Sequence, residues 1–208
     1  MANQALVRDP PKDVNRKVTP KRLENEAYRT REYLDPKEVE RLIEAARKHS
    51  RYGHRDATAI LICYRHGLRA SELCDLAWDA INLDKGTVLV HRAKGGIDSK
   101  HPLTGREIRD LRRLRRENPD SRFVFITERG GPMSTAGFLK IVTKYGELAK
   151  LGSLKVHPHM LRHSCGFKLA ADKVDTRTIQ DYLGHADIRN TVIYTRLQEG
   201  KFNGIWKD

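Results

Sequence analysis

The sequence predicts a mainly α-helical domain with one small antiparallel β-sheet (α+β), and three observations support this fold class. Apolar residues recur every three or four positions, the period of an amphipathic helix, through most of the chain beyond residue 34. From Thr87 the period changes to the alternation typical of strands, on both sides of a Gly-Gly pair. The length of 208 residues suits one hydrophobic core, and no apolar run approaches the roughly 18 residues of a membrane span.

The N-terminal half predicts an arm followed by three helices. Residues 1–34 are polar, contain three prolines and show no apolar period, so we interpret them as a basic arm or linker before a domain of residues 35–208. In "LDPKEVERLIEAARKHS", Asp35 is a suitable N-cap and Pro36 a suitable first helical residue. The apolar segment "RDATAILICYRHG" predicts a central helix that ends at Gly67, and "RASELCDLAW" predicts a short third helix.

The C-terminal half predicts a hairpin and further helices. The segment "TVLVHRAKGGIDSKHPL" predicts two strands joined at Gly95 and Gly96. We then expect a helix in "TGREIRDLRRLRRENP", a short strand in "RFVFIT" and a helix in "STAGFLKIVTKYGELAKLG" closed by Gly152. Three short helical segments follow: "PHMLRHSCGFKLAADK", "DTRTIQDYLGH" and "DIRNTVIYTRLQEG".

The charge balance indicates a polyanionic partner. Lysine and arginine number 40 against 27 acidic residues, a formal net charge of +13, and nucleic acid is the first candidate. The N-terminus "MANQALVRDPPKD" lacks the apolar core of a signal peptide, and the three cysteines lie in apolar stretches that suit a reducing compartment. We therefore expect a soluble cytoplasmic protein that does not enter a membrane.

The segment "HPHMLRHSCG" holds the densest group of chemically active side chains. On the predicted helix, His159 and Arg162 stand three residues apart and share a face. His163 follows His159 by four residues, which is also the spacing of a helical zinc pair, but no cysteine pair or glutamate nearby completes a metal site. Taken alone, the segment also fits a capping histidine and a surface arginine.

Two other segments carry polar residues in suggestive positions. In "GLRASE", Arg69 starts a helix and Glu72, three residues on, can hold its guanidinium in a fixed orientation. By itself this pair fits an ordinary exposed ion pair. In "DYLGHADIRNTVIYTRL", His185 follows the helix-ending Gly184, and Tyr194 lies nine residues later on another helix. A tyrosine on a helix is most often a core residue.

Together these segments resemble the tyrosine recombinases, the phage-integrase-like site-specific recombinases. The resemblance covers about residues 33–208, and the wording "HPHMLRHSCG", "IQDYLGH" and "GKFNGIW" is most similar to the fimbrial phase-switch branch, which inverts a promoter segment. It implies the tyrosine recombinase catalytic-domain fold without the separate N-terminal core-binding domain of most relatives. Six positions match the family pattern in order: Arg69, Lys94, His159, Arg162, His185 and Tyr194.

The resemblance implies cleavage and rejoining of double-stranded DNA without an energy source. The Tyr194 oxygen would attack phosphorus, form a 3′-phosphotyrosyl bond and release a 5′-hydroxyl. Arg69 and Arg162 would neutralise the charge of the transition state. His159 and His185 would supply hydrogen bonds, and His159 could accept the phenol proton.

The leaving 5′-oxygen also needs a proton, and the resemblance gives this role to Lys94 at the hairpin tip. Lys100 on the same hairpin is the competing choice, but we expect it on the return strand. Lys94 could alternatively be only a phosphate contact. Since side chains supply the positive charge, we expect no metal and no nucleotide cofactor.

DNA contacts and partners complete these expectations. Four arginines share one face of the helix predicted in "TGREIRDLRRLRRENP": Arg109, Arg112, Arg113 and Arg116. This face fits contact with the DNA backbone and, equally, an ordinary solvated helix face. The family implies a homotetramer on paired sites, joined through the C-terminal segment that contains Phe202, Ile205 and Trp206, with a possible accessory DNA-bending protein at the nucleoid. That segment could instead fold back on its own core. The alternative functions are type IB topoisomerase-like relaxation and a DNA-binding regulator that never cuts.

Overall fold

The structure, a computed structural model, describes residues 31–93, 95–151 and 154–196. These residues contain eight α-helices and a three-stranded sheet. The predicted mainly helical fold with one small antiparallel sheet is confirmed. The helices are α1 (Pro36–His49), α2 (Gly53–Arg65), α3 (Ala70–Cys74), α4 (Gly105–Glu117), α5 (Thr135–Leu148), α6 (Pro158–Ala171), α7 (Thr176–Leu183) and α8 (Arg189–Arg196). The strands are β1 (Ile81–Asn82), β2 (Thr87–Val90) and β3 (Ser99–Pro102).

Helix α1 begins where its cap residues predict. The Asp35 carboxylate accepts the backbone N–H of Glu38 at 2.8 Å, and the Glu38 carboxylate accepts the N–H of Asp35 at 2.8 Å. This reciprocal pair satisfies two donors that a helix start leaves unpaired. Helix α2 is buried on nearly every side and packs against α1, α4 and α6, as its apolar sequence predicts. It therefore forms the centre of the core.

The sheet has the order β1-β2-β3, and both strand pairs are antiparallel. The predicted hairpin is β2 and β3, with Val88 opposite His101 and Leu89 opposite Lys100. Val88 and Val90 face the core while Leu89 is exposed, so the alternation in the sequence matches the burial. Strand β1 has only two residues, too few to give a sequence signal.

Three local predictions are wrong. Helix α3 ends at Cys74, with Asp75 as its C-cap, and does not extend to Trp78, because Ala77 pairs with Phe123. The segment "RFVFIT" is not a strand, because its residues make single bridges to two different segments, Phe123 with Ala77 and Ile126 with Pro132. Helix α5 ends at Leu148 rather than at Gly152, which lies outside the described residues. The chain turns at Lys150, whose φ is 53°, and the next residue, Leu151, is buried in the core.

Helices α6, α7 and α8 enclose a second, smaller apolar cluster that includes Cys165, Leu183 and Tyr194. Residues ahead of α1 pack against both clusters. The Tyr33 ring lies 4.2 Å from that of Phe167 beside the smaller cluster, while the Leu34 side chain is buried in the main core and its backbone N–H donates to the Ser164 hydroxyl at 2.7 Å. The domain boundary at residue 35 stays a prediction. Within the described ranges, every helix is too short or too polar to cross a bilayer.

Candidate active site

Glu72 on α3 is the centre of a cluster of polar side chains that also contains Arg69, Arg92 and Arg162. Arg69 is the N-cap of α3 and Glu72 is the third residue of that helix. The Glu72 carboxylate accepts the backbone N–H of Arg69 at 2.9 Å and Arg69 Nη1 at 2.5 Å. The ion pair that the sequence predicts is therefore present, and it fixes the direction of a guanidinium that is partly exposed.

Arg162 on α6 approaches the same carboxylate from the other side. Its Nη1 lies 3.9 Å from Glu72 Oε2, and the side chain is buried. It donates to the carbonyl oxygen of Gly67 at 2.5 Å through Nη1 and to that of Leu183 at 2.8 Å through Nη2. A guanidinium has five N–H donors, so three are not used by the described residues and can serve another acceptor. Arg69 and Arg162, 93 positions apart in the chain, thus converge on Glu72.

Arg92, two residues after the end of β2, is a third guanidinium in this cluster, and the sequence analysis did not single it out. It is buried and donates to Glu72 Oε2 at 3.0 Å. It also donates to three carbonyl oxygens, those of His66, Gly67 and Tyr182. Gly184 makes room for it, since a Cβ there would lie 2.5 Å from Arg92 Cγ, and its φ of +63° is one that side chains rarely adopt. Arg92 therefore links the hairpin to the loop after α2 and to the last turn of α7.

The hairpin tip is anchored to the ion pair of Arg69 and Glu72. The backbone N–H of Ala93 donates to Glu72 Oε1 at 3.0 Å, and the Ala93 carbonyl accepts Arg69 Nη1 at 3.3 Å. Lys94, the next residue in sequence, lies outside the described residues. Lys100 lies on β3, the return strand, as the sequence predicts, and it is exposed.

His185 reaches the cluster from the turn after α7. Gly184 ends α7 in the left-handed conformation, and His185 follows it with only 8% of its surface exposed. Its Nδ1 lies 2.7 Å from the Thr191 hydroxyl, and among the described residues its Nε2 has no hydrogen-bond partner, so this nitrogen can bind a ligand. Burial, followed by the charges of Arg162 and Arg69, lowers the pKa of His185 to about 4. The ring is therefore neutral near pH 7.

His159 lies in the first turn of α6, and its side chain is exposed. Partial desolvation, then the charge of Arg162, lowers the pKa of its imidazole. Arg69 also acts on this ring. His159 thus belongs to the same electrostatic environment as both arginines, while its exposed edge remains accessible to an approaching ligand.

Tyr194 on α8 is 2% exposed, and its hydroxyl oxygen lies 3.1 Å from Nδ1 of His163. Burial raises the pKa of Tyr194 to about 12, although the charge of Arg162 lowers it. The sequence analysis considered His163 only as half of a zinc pair. Its position four residues after His159, on the same helical face, was the available signal. In the described ranges no group of three or more His, Cys, Asp or Glu residues could hold a metal ion.

The cluster has an excess of positive charge, with three guanidiniums around one carboxylate. Burial alone would raise the pKa of Glu72, but hydrogen bonds from Arg69 and the charge of Arg92 outweigh it and lower the pKa. Burial and the charges of Arg69 and Arg92 lower the pKa of Arg162 to about 10, so it stays protonated near pH 7. The free donors and this excess charge suit a tetrahedral oxyanion such as a phosphodiester.

The four arginines of α4 lie apart from this cluster. Three of them line a cavity of about 880 Å³ beside the start of α2: Arg109, Arg113 and Arg116. Arg112 instead donates to the carbonyl oxygen of Leu83 at 3.5 Å. Helix α2 is 13 residues long, about 20 Å, and its other end adjoins Gly67. The structure therefore does not bring the α4 arginines together with Arg69 and Arg162.

Comparison with known proteins gives concordant matches. The phage integrase family model matches residues 32–201. The type 1 fimbriae regulatory protein FimB of Escherichia coli strain K12 is 43% identical over 181 residues, which is 85% of this chain and 90% of that protein. The crystal structure of XerA recombinase has a TM-score of 0.71 and 28% identity, over 82% of this chain and 62% of that chain. The XerH site-specific recombinase bound to difH substrate has a TM-score of 0.72 and 25% identity, over 86% of this chain and 55% of that chain.

Proposed function

Because the chain belongs to the phage integrase family, we propose that it is a site-specific tyrosine recombinase that cuts and rejoins double-stranded DNA through a 3′-phosphotyrosyl intermediate. A tyrosine phosphodiester keeps the energy of the broken bond, so strand exchange needs no nucleotide cofactor. Inversion, excision and integration share this chemistry. The resemblance of the sequence motifs to the fimbrial phase-switch branch favours inversion.

The proposal gives each cluster residue a role. Tyr194 is the nucleophile, and Arg69 and Arg162 bind the non-bridging oxygens of the scissile phosphate. Each guanidinium keeps N–H donors to which no described residue offers an acceptor, which supports bidentate binding. His159 and His185 donate further hydrogen bonds, and they can do so as neutral rings.

Lys94 is the proposed proton donor to the leaving 5′-oxygen. Its neighbour Ala93 is anchored to Arg69 and Glu72, which supports a location of the hairpin tip beside the phosphate site. Glu72 has a supporting role, since it orients Arg69 and neutralises part of the buried charge.

The observation that carries the proposal is the shared contact of Arg69 and Arg162 with Glu72, a few ångströms on either side of one carboxylate. The test begins with selection of a binding site from a randomised duplex library, using the Tyr194→Phe protein to avoid cleavage. The selected site is then made with a nick that traps the cleaved strand. We expect a covalent adduct on a denaturing gel with the wild-type protein and none with Tyr194→Phe.

The same assay separates the alternatives. A regulator that never cuts would bind the selected site and give no adduct. A type IB topoisomerase would form adducts on unrelated duplexes and relax supercoiled plasmid. A recombinase forms the adduct on the selected site and joins strands between two copies of it.

The α4 arginines are proposed to contact the DNA backbone away from the scissile phosphate. All four are exposed, which supports the proposal, although Arg113 also pairs with Glu117 at 2.8 Å. The triple substitution of Arg109, Arg113 and Arg116 by glutamine should weaken DNA binding and flatten its salt dependence. Lys140→Gln, at an exposed position on α5, is the matched control.

The proposal also includes a homotetramer on two paired sites, with an accessory DNA-bending protein as a further partner, at the nucleoid in the cytoplasm. A groove of about 390 Å³ beside Tyr194 is lined by apolar side chains that include Leu34 and Phe167. We assign to it the C-terminal segment of a neighbouring protomer, whose residues Phe202, Ile205 and Trp206 lie outside the described residues. Trp206→Ala should then reduce assembly on DNA, measured by sedimentation, more than Lys207→Ala.

A further inference from the structure

The Tyr194 hydroxyl makes its hydrogen bond to His163, and not to the histidine that the sequence analysis considered for its proton. His163 Nδ1 lies 3.1 Å from the hydroxyl oxygen. The His159 ring meets that of His163 edge-on, with centroids 4.4 Å apart. Within the described ranges no hydrogen bond joins His159 to Tyr194. His163 is therefore the imidazole in contact with the reactive oxygen.

Helix α6 holds the tyrosine ring in this position. A Cβ on Gly166 would lie 2.6 Å from Cε2 and Cζ of Tyr194, so the ring packs directly on the helix backbone. The Phe167 ring meets the tyrosine ring edge-on at 5.1 Å. With these contacts, one turn of α6 sets both the ring and the partner of its hydroxyl. Arg162, on the same turn, lies close enough for its charge to act on Tyr194.

We propose that His163 is a further catalytic residue, which accepts the hydroxyl proton of Tyr194 as the phenolic oxygen attacks phosphorus. The inference rests on the proposed recombinase function. In cleavage, the O–H proton moves to Nδ1, the new P–O bond forms, and the bond from phosphorus to the 5′-oxygen breaks. The leaving oxygen takes its proton from the acid assigned to Lys94. In resealing, the 5′-hydroxyl attacks phosphorus and gives its proton to the amine assigned to Lys94, while His163 returns its own proton to the departing phenolic oxygen.

The surroundings of His163 keep a lone pair available. Burial, followed by the charge of His159, lowers the pKa of His163 to about 4, so its imidazole is neutral near pH 7. The titratable and charged groups that face it are His157, His159 and Arg162 on or beside α6, Glu32 ahead of α1, His185 after α7 and Tyr194 on α8. A phosphate bound beside it brings a negative charge, which raises the imidazole pKa and favours proton uptake.

The test isolates the attack step. The selected DNA site is synthesised with sulfur in place of the bridging 5′-oxygen, because a thiolate leaves without protonation and bypasses the acid. His163→Asn is the main variant, since its amide lies near the position of Nδ1 and can hydrogen bond but cannot take up a proton. Single-turnover adduct formation is followed between about pH 4 and pH 9, which covers the pKa of His163, about 4 in the free protein and higher beside a bound phosphate.

We expect His163→Asn to react about 10²- to 10⁴-fold more slowly than wild type, the usual contribution of a general base. Its rate should rise with pH towards the pKa of the phenol. Added imidazole should restore part of the rate in His163→Gly, an outcome that a purely structural role would not give. His49→Asn, exposed at the end of α1, should match wild type.

Contrary outcomes are distinguishable. If His163→Asn reacts at the wild-type rate or keeps the wild-type pH profile, His163 is not the proton acceptor. If the His163 variants unfold, the pH–rate profiles of wild type and His159→Asn decide which histidine accepts the proton. If the fall in rate at low pH is lost in His159→Asn, the proton acceptor is His159. If wild type forms no adduct with the selected site, the recombinase function itself is wrong, and this inference falls with it.

Discussion

Substitution of Glu72 by glutamine should destabilise the fold strongly, because three guanidiniums surround this carboxylate. Arg69 and Arg92 contact it at 2.5 and 3.0 Å, and Arg162 approaches to 3.9 Å. The Arg92 side chain has no solvent exposure and that of Glu72 has 2%. Loss of one partner of a buried ion pair costs about 3–5 kcal/mol, since the other charge stays buried without compensation. That is a large part of the roughly 5–15 kcal/mol that stabilises a typical domain.

The assay is urea unfolding near pH 7, followed by circular dichroism, with Glu117→Gln as the matched control. Glu117 pairs with Arg113 on the exposed face of α4, and an exposed helix pair of this spacing contributes only about 0.3–0.5 kcal/mol. If Glu72→Gln lowers the free energy of unfolding no more than Glu117→Gln does, then Glu72 is not the electrostatic centre of the cluster.

The pH dependence of the free energy of unfolding is a second test of the role of Glu72. The pKa of Glu72 is lower in the folded protein than its ordinary value, because the hydrogen bonds from Arg69 and the charge of Arg92 outweigh burial. Such a group stabilises the fold above its unfolded pKa of about 4.3 and loses this effect as the pH falls through the folded pKa. The stability difference between wild type and Glu72→Gln should therefore shrink below about pH 4. A difference that stays constant on acidification would contradict the assigned pKa direction.

Three further outcomes are expected. Gly166→Ala should abolish adduct formation and cost about 1–3 kcal/mol of stability, because its Cβ would lie 2.6 Å from the Tyr194 ring; Gly131→Ala, where the nearest atom is 3.9 Å away, is the control. Asp35→Ala should destabilise α1 by about 1 kcal/mol in thermal unfolding, through loss of its hydrogen bond with the Glu38 N–H. DNA affinity, measured by fluorescence anisotropy, should fall linearly on a log-log plot against salt, and a flat plot would exclude backbone phosphate contacts.

The fold prediction is right where an element depends on neighbouring residues in the sequence, and wrong where it depends on distant ones. Asp35, Pro36 and the apolar spacing that follows define α1 within its own segment, because caps and periodicity are local properties. The segment "RFVFIT" is rich in strand-forming residues, but in the described part of the chain it makes only two isolated bridges, and strand formation depends on a partner strand. The end of α5 depends on the burial of Leu151, which the core decides.

The site likewise has features that depend on neighbouring residues and features that depend on distant ones. The order and spacing of Arg69, His159, Arg162, His185 and Tyr194 can be read in the sequence, and so can the Arg69–Glu72 pair. The contact of Arg162 with Glu72 and the burial of Arg92 against four acceptors link positions far apart in the chain. No spacing rule encodes such contacts.

By itself, the sequence determined the fold class, the family resemblance and the residue types of the site, because helix caps, apolar periods and short motifs act within a few residues. Only the tertiary structure decided that His163, and not His159, contacts the Tyr194 hydroxyl, and that the α4 arginines lie at the far end of α2 from Arg69. Those outcomes depend on how α6 packs against α8 and α4 against α2, and packing is settled by the shape of the whole core.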